Sequence, residues 1–219
     1  MSNSALAANL HLVRARIAAA CAAVGRMPSE VKLIAVTKTI PVPVMMDAVR
    51  LGITRFGESR LQEAVLKTPL IQGDVEWHFI GSLQSNKARK IAMLFDAIHS
   101  VDSPHQLPEI AKAGRPVDVC IQVNIANEPQ KSGVAPDSLD ALVAEVLNYP
   151  NIHLRGLMTI GPEVSDPEDM RPWFRKMREL LNQVPHGTWL SMGMTHDFDV
   201  AIQEGATHIR VGRALFGDR

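Results

Sequence analysis

The sequence predicts an α/β fold: a single (β/α)8 TIM-type barrel with an extra N-terminal helix. Three observations lead there. Short runs rich in Val and Ile alternate with stretches of helical period, as parallel strands joined by crossover helices do. Eight such runs share 219 residues, or about 27 per unit, near the minimum for a strand, a helix and two turns. An open doubly wound sheet is the alternative, but it usually has five or six strands and a Gly-rich first turn, and this chain has neither GxGxxG nor GxxxxGK[ST].

The elements follow in order. Leu6, Leu10, Val13, Ile17 and Cys21 recur at helical spacing and define the N-terminal helix. Strands are expected over Val31 to Val36, Ile53 to Gly57, Glu76 to Ile80, Ala97 to Val101, Asp118 to Ile125, His153 to Ile160, Thr188 to Met192 and Thr207 to Val211. Helices are expected over Val42 to Leu51, Arg60 to Lys67, Leu83 to Leu94, Pro104 to Ala113, Pro136 to Asn148, Pro167 to Val184 and Asp197 to Glu204, with a short one after Gly212. No internal repeat or low-complexity segment interrupts the series, and Pro and Gly fall mostly between elements, so residues 1–219 read as one domain.

Composition narrows the function. Lys and Arg total 23 against 23 Asp and Glu, which leaves no basic field for a nucleic-acid backbone and no polybasic run for a membrane surface. The longest stretch free of charge, Leu180 to His196, contains Asn182, Gln183, Pro185 and Gly187 and cannot span a bilayer. Arg14, Arg16 and the apolar residues after them mimic a signal peptide, but their helical period favours a packed helix. Cys21 and Cys120 lie in no CxxC or zinc spacing, and a reducing, cytoplasmic setting fits them.

In a barrel of this kind the active site lies at the C-terminal ends of the strands. Past the first run stands Lys38, on the same face as Ile34 and Val36 by period 2. An ammonium at an apolar rim would be desolvated, which suits a Schiff-base or general-base lysine. A lysine reaching out to solvent is the other reading. Phosphate sites in such barrels use the loops after strands seven and eight. Here those are Ser191-Met192-Gly193-Met194-Thr195 and Val211-Gly212-Arg213-Ala214. Their glycines permit close approach of N–H groups, and Ser191 and Thr195 carry hydroxyls. Two ordinary turns with an N-cap at Thr195 would look the same. A poised lysine beside an anion cradle suggests an aldehyde-bearing phosphate, for which pyridoxal 5′-phosphate is the obvious candidate. Arg210 shares parity with Gly212 and should face the mouth. Opposite a pyridine nitrogen it would disfavour protonation, and its alternative is a pair with a neighbouring acid. His78, inside the third strand, reads better as a core histidine bonded to a neighbour than as a catalytic group.

Several segments carry a resemblance over nearly the whole chain: Ala35-Val36-Thr37-Lys38-Thr39, Phe56-Gly57-Glu58, Trp77 to Lys87, Ser100-Val101-Asp102, Gln122 to Ile125, Lys131-Ser132-Gly133, Gly156-Leu157-Met158, Leu190 to Met194, and Arg210-Val211-Gly212. The chain resembles the pyridoxal phosphate homeostasis proteins, which look like the barrel domain of alanine racemase and belong with the fold-type III pyridoxal phosphate proteins. The resemblance implies that Lys38 forms the internal aldimine, that Ser191, Gly193, Gly212 and Arg213 contribute to phosphate binding, and that Arg210 lies by the ring nitrogen. It also implies a role in holding and supplying pyridoxal phosphate without strong catalysis, with pyridoxal-phosphate-dependent apoenzymes as recipients and a monomeric or weakly dimeric state. The chain departs from the family in Glu58-Ser59-Arg60, where Glu-Asn-Tyr is usual, and in Thr195-His196-Asp197.

Two other functions remain open on sequence. A racemase needs a second base opposite Lys38. The similar racemases take it from a tyrosine of a second domain, for which seven residues after Gly212 leave no room, and the sole tyrosine, Tyr149, precedes strand six on the far side. A barrel that binds another phosphorylated metabolite without covalent chemistry would use Lys38 only as a counter-ion.

Overall fold

A computed structural model describes residues 3–217, so the outermost residues of the expected 1–219 domain lie outside the described part. Helix α1 (Asn3–Ala22) precedes eight strands, β1 (Lys32–Val36), β2 (Arg55–Glu58), β3 (Glu76–Phe79), β4 (Ala97–Val101), β5 (Val117–Gln122), β6 (Ile152–Met158), β7 (Trp189–Ser191) and β8 (His208–Val211). They pair in sequence order, all parallel, into a closed barrel. The crossovers are α2 (Val42–Arg50), α3 (Leu61–Lys67), α4 (Ser85–Leu94), α5 (Leu107–Ala111), α6 (Leu139–Val146), α7 (Arg171–Leu181) and α8 (Phe198–Gln203), and α9 (Arg213–Phe216) follows β8. Closure removes every sheet edge.

The main apolar core lies between barrel and helices. Ala35, Phe56, Phe79, Ile98, Val119, Leu157, Leu190 and Ile209 point outward from their strands into it and are all but fully buried. Inside the barrel the character changes. Gly57 is there because an added Cβ would sit 2.8 Å from Ile34 Cγ2 on the inner face of the neighbouring strand. With Ile34 inward, the alternation of β8 turns His208 and Arg210 inward as well, since Lys32 pairs with His208 and Ile34 with Arg210.

Helix α1 buries Leu6, Leu10, Val13, Ile17 and Cys21, the stripe expected from its period, against α8 and α9. Its position ties the two chain ends of the barrel together. The Asn9 side-chain amide donates to the Leu215 carbonyl at 2.9 Å, and Arg26 NH1 donates to the carbonyls of Ile202 and Ala206 at 2.7 and 3.0 Å.

Boundaries differ from expectation where local hydrogen bonding ends an element early. Strand β5 stops at Gln122 rather than Ile125, because the Asn124 side chain donates to the carbonyls of Glu128 and Lys131 and turns the chain. The helix expected from Pro167 begins as a 3-10 turn, with Asp166 Oδ1 accepting from the Glu168 N–H at 3.0 Å.

Candidate functional site

The C-terminal mouth is built where the barrel closes. In the ladder between β1 and β8 the last pair is Ala35 with Val211. The turn carrying Lys38 and the turn Gly212–Arg213 therefore leave the barrel side by side. The β7 turn adjoins them, because the Arg210 N–H donates to the Gly193 carbonyl at 3.0 Å. Residues more than 150 positions apart in the chain thus share one rim.

Lys38 stands in the turn just past β1 and keeps the inward parity of Ile34 and Val36, since Thr37 between them faces out to Glu58. One expectation fails here. The side chain is exposed, two residues beyond the end of β1, so it is not desolvated by an apolar rim. Its backbone is held instead. Thr37 Oγ1 donates to Glu58 Oε1 at 2.8 Å, and Lys67 Nζ donates to the Thr37 carbonyl at 2.8 Å, Glu58 Oε1 at 2.9 Å and Glu63 Oε2 at 3.0 Å. The Thr39 N–H donates to Glu63 Oε2 at 2.8 Å, which holds Thr39 at φ +65°, an unusual conformation for a branched residue. Both neighbours of Lys38 are thereby anchored to one cluster of two carboxylates and an ammonium. The N–H of Thr39 is the main cause that holds the Glu63 carboxyl below its ordinary range.

The turns after β7 and β8 have different loads. Gly193 has φ +90°, and an added Cβ would lie 2.6 Å from Ala201 Cβ and 2.9 Å from Phe198 Cα, so only glycine lets α8 approach β7 this closely. The Met194 N–H is taken by Asp197 Oδ1 at 2.7 Å, and the Ala214 N–H lies 3.4 Å from Thr195 Oγ1. Arg213 is exposed and Gly212 half-buried at the start of α9, where first-turn N–H groups have no partner within the helix. His196 is exposed, with Nε2 3.2 Å from the Ser165 carbonyl.

Ser191 and Arg210 lie deeper. Ser191 is fully buried, and its Oγ is bound by Arg210 NH1 and by His99 Nδ1, each at 2.8 Å, so its hydroxyl serves Arg210 rather than the rim. Arg210 NH2 donates to the Thr159 carbonyl at 2.8 Å. The acid partner allowed for on sequence is not bonded to it. Burial lowers the guanidinium to about 10, an effect opposed in part by the nearby Asp197 carboxylate. A buried cation with neutral partners, just below a rim of N–H groups and an amine, is a donor set suited to an anionic, carbonyl-bearing ligand.

His78 is a buried core histidine bonded to a neighbour, as its mid-strand place suggested: Nδ1 lies 2.9 Å from His99 Nε2. Sequence reading missed His99, although its inward parity with Ala97 on β4 could have flagged it. It also missed Glu58 at the end of β2 and Glu63 and Lys67 in the first and last turns of α3, the last two reading as an ordinary solvated helix pair. Cavities of about 510 and 180 Å³ lie at the other end, one between α1 and the starts of β1 and β2, the other at the barrel floor.

Comparison with known proteins places the chain in a family. The family described as alanine racemase, N-terminal domain, matches residues 2–219. The pyridoxal phosphate homeostasis protein of Pseudomonas aeruginosa is 45% identical over 222 residues, 99% of this chain and 96% of its own. That of Aquifex aeolicus is 42% identical over 223 residues, 96% of each chain. The solved structure of PipY from Synechococcus elongatus with pyridoxal phosphate bound superposes with a TM-score of 0.83 at 36% identity, covering 97% of this chain and all of PipY.

Proposed function

The chain belongs, with the pyridoxal phosphate homeostasis proteins, to the family of the alanine racemase N-terminal domain, and from that premise we propose that it binds pyridoxal 5′-phosphate at the barrel mouth and serves to hold and supply it. The observation that carries the reading is the meeting of Lys38, the Gly193 turn and the Gly212–Arg213 turn on one rim above Arg210, a buried cation with no bonded carboxylate. Pyridoxal phosphate brings an aldehyde, with which a primary amine condenses, and an anionic phosphate.

The chain's own residues take the complementary roles. Lys38 offers Nζ as the point of attachment, on a backbone held by Glu58, Glu63 and Lys67. Gly193, Gly212 and Arg213 bring N–H groups to the phosphate, and Ser191 contributes by holding Arg210. Arg210 would meet the ring as a cation, and such a partner would disfavour a proton on a pyridine nitrogen and make the bound group a poorer electron sink. Strong catalysis is not what this arrangement favours. Tyr149, the one tyrosine, lies just before β6 at the barrel floor and cannot serve as a second base opposite Lys38.

The fold is read as one domain over 1–219. Its apoenzyme recipients and a monomeric or weakly dimeric state belong to this proposal, as does a cytoplasmic setting, which two buried free thiols suit. Among the described residues no helix is long and apolar enough to cross a membrane.

The test is optical. The purified protein incubated with pyridoxal phosphate should acquire a visible absorption band that is absent from Lys38→Ala. A colourless wild type overturns the reading. Exchange of an amino acid's α-hydrogen at about 1 per second or faster would overturn the non-catalytic part of it.

A further inference from the structure

Polar groups inside the barrel form a series that the proposed site leaves unexplained. His78 on β3, His99 on β4, Ser191 on β7 and Arg210 on β8 connect end to end, and the exposed Glu76 at the start of β3 faces the floor end of the series. His78 Nε2 lies 3.5 Å from Glu76 Oε2, His78 Nδ1 2.9 Å from His99 Nε2, and His99 Nδ1 2.8 Å from Ser191 Oγ, which Arg210 NH1 meets at 2.8 Å. Glu76 lines the 180 Å³ floor cavity beside Arg55, Asp118 and His208, while Arg210 lies under the mouth. The series runs the depth of the bore.

Its protons can be assigned by elimination. A guanidinium only donates, so Ser191 Oγ spends a lone pair on Arg210, and the one acceptor at hand for its hydroxyl hydrogen is His99 Nδ1. His99 is held neutral, because burial and the fields of His78, His208 and Arg210 push it well below the ordinary histidine range. With Nδ1 accepting, its proton is on Nε2 and is donated to His78 Nδ1. His78 then carries its own proton on Nε2, directed at Glu76, which that neighbour and Arg55 hold ionised down to about 2. His78 Nε2 makes no hydrogen bond, and the Glu76 carboxylate at 3.5 Å faces it as a charge contact. The reverse order would strand the Ser191 hydroxyl hydrogen and aim a lone pair at a carboxylate.

We propose that His78 and His99 are positioning residues, which act through Ser191 as one directed hydrogen-bond chain, with the Glu76 carboxylate facing its floor end and the cation at the mouth, to fix the Arg210 guanidinium for the ligand. The ligand part rests on the function proposed above; the chain itself does not.

Histidine-¹⁵N NMR on the protein without ligand tests the chain directly. The shared proton should show one-bond coupling to His99 Nε2 and a coupling across the hydrogen bond to His78 Nδ1. A proton on His78 Nδ1, or a cationic His99 at neutral pH, overturns the proposal. His99→Phe keeps a ring in place but ends the chain, and pyridoxal phosphate should bind it about tenfold more weakly, one hydrogen bond's worth, while the visible band still forms on Lys38. Unchanged affinity in a folded His99→Phe protein also overturns it. A wild type with no Lys38-dependent band would instead defeat the ligand reading and leave the NMR assignment standing.

Discussion

Lys67, whose own side chain is 12% exposed, sits between Glu58, whose side chain is 0% exposed, and Glu63, and among the described residues it is the one cation bonded to both. Removing it would leave two carboxylates close together in a poorly hydrated space, the case in which breaking a buried pair costs most. Lys67→Met should therefore lose about 3 kcal/mol or more in urea denaturation. It should also slow the appearance of the Lys38-dependent band, because Thr37 loses its carbonyl donor and Glu63 its restraint. Loss of stability without any change in attachment would separate the cluster from Lys38. The buried histidines make a second residue-scale prediction. His208 is lowered to about 3, chiefly by burial and then by the field of His78, and His99 is lowered too. Below the ordinary range near 6.5, the unfolded chain binds protons that the folded one excludes, so stability falls as pH falls. Each site contributes about 1.4 kcal/mol per pH unit in that window, so denaturation at pH 5.5 should show roughly 2–3 kcal/mol less stability than at pH 7.5. His208→Phe should remove about half of that difference. A flat profile over this interval would mean that the histidines are not held neutral. Such groups resist reading from sequence, since a histidine's environment depends on strand partners dozens of residues away, as His99 and Ser191 illustrate.

At the scale of elements, the βα turns decide what the mouth can do, and the turn after β7 is the most constrained. Gly193 combines φ +90° with contact of its would-be Cβ against both Ala201 and Phe198, so Gly193→Ala must both strain the backbone and move α8 outward. A cost of about 2 kcal/mol is expected, seen as a fall of roughly 4–8 °C in Tm, together with weaker pyridoxal phosphate binding. A Tm within a degree of wild type would show that the turn relaxes freely. α1 bears on the same turn. Arg16 pairs with Asp199, donates to the Thr195 carbonyl at 3.3 Å and lies 4.0 Å over the Phe198 ring. The elements were largely legible before the structure. All eight strands and their crossover helices lie where apolar runs and helical periods indicated, because parallel strands buried on both faces read as apolar runs. What escaped was set by side chains bonding locally to backbone, as at Asn124 and Asp166, which no periodicity encodes. The site was half legible for the same reason. Parity found Lys38 and Arg210, but how far a side chain rises above the rim depends on where the strand ends, and β1 ends at Val36.

For the whole molecule, closure between β8 and β1 is what makes a site, since it joins an amine from the first unit to turns from the last two and sets both above one polar bore. Amine and cradle lie on separate units of a rigid frame, so their contributions to ligand binding should separate. A ligand bound only by the folded state, at 100 times its Kd, adds about 2.7 kcal/mol and should raise Tm by roughly 5–10 °C. Wild type with pyridoxal phosphate should show this full rise. Lys38→Ala should keep a smaller one if, as proposed, Gly193, Gly212, Arg213 and Arg210 meet the phosphate and ring. Lys38→Ala with pyridoxal, which lacks the phosphate, should show almost none. Scanning calorimetry of the three samples at matched concentrations gives the comparison. Equal stabilisation of Lys38→Ala by pyridoxal and pyridoxal phosphate would mean that the turns after β7 and β8 do not grip the phosphate. No residual rise with pyridoxal phosphate would mean that attachment at Lys38 is the whole of binding, and the rim would then be a support for one lysine rather than a composite site.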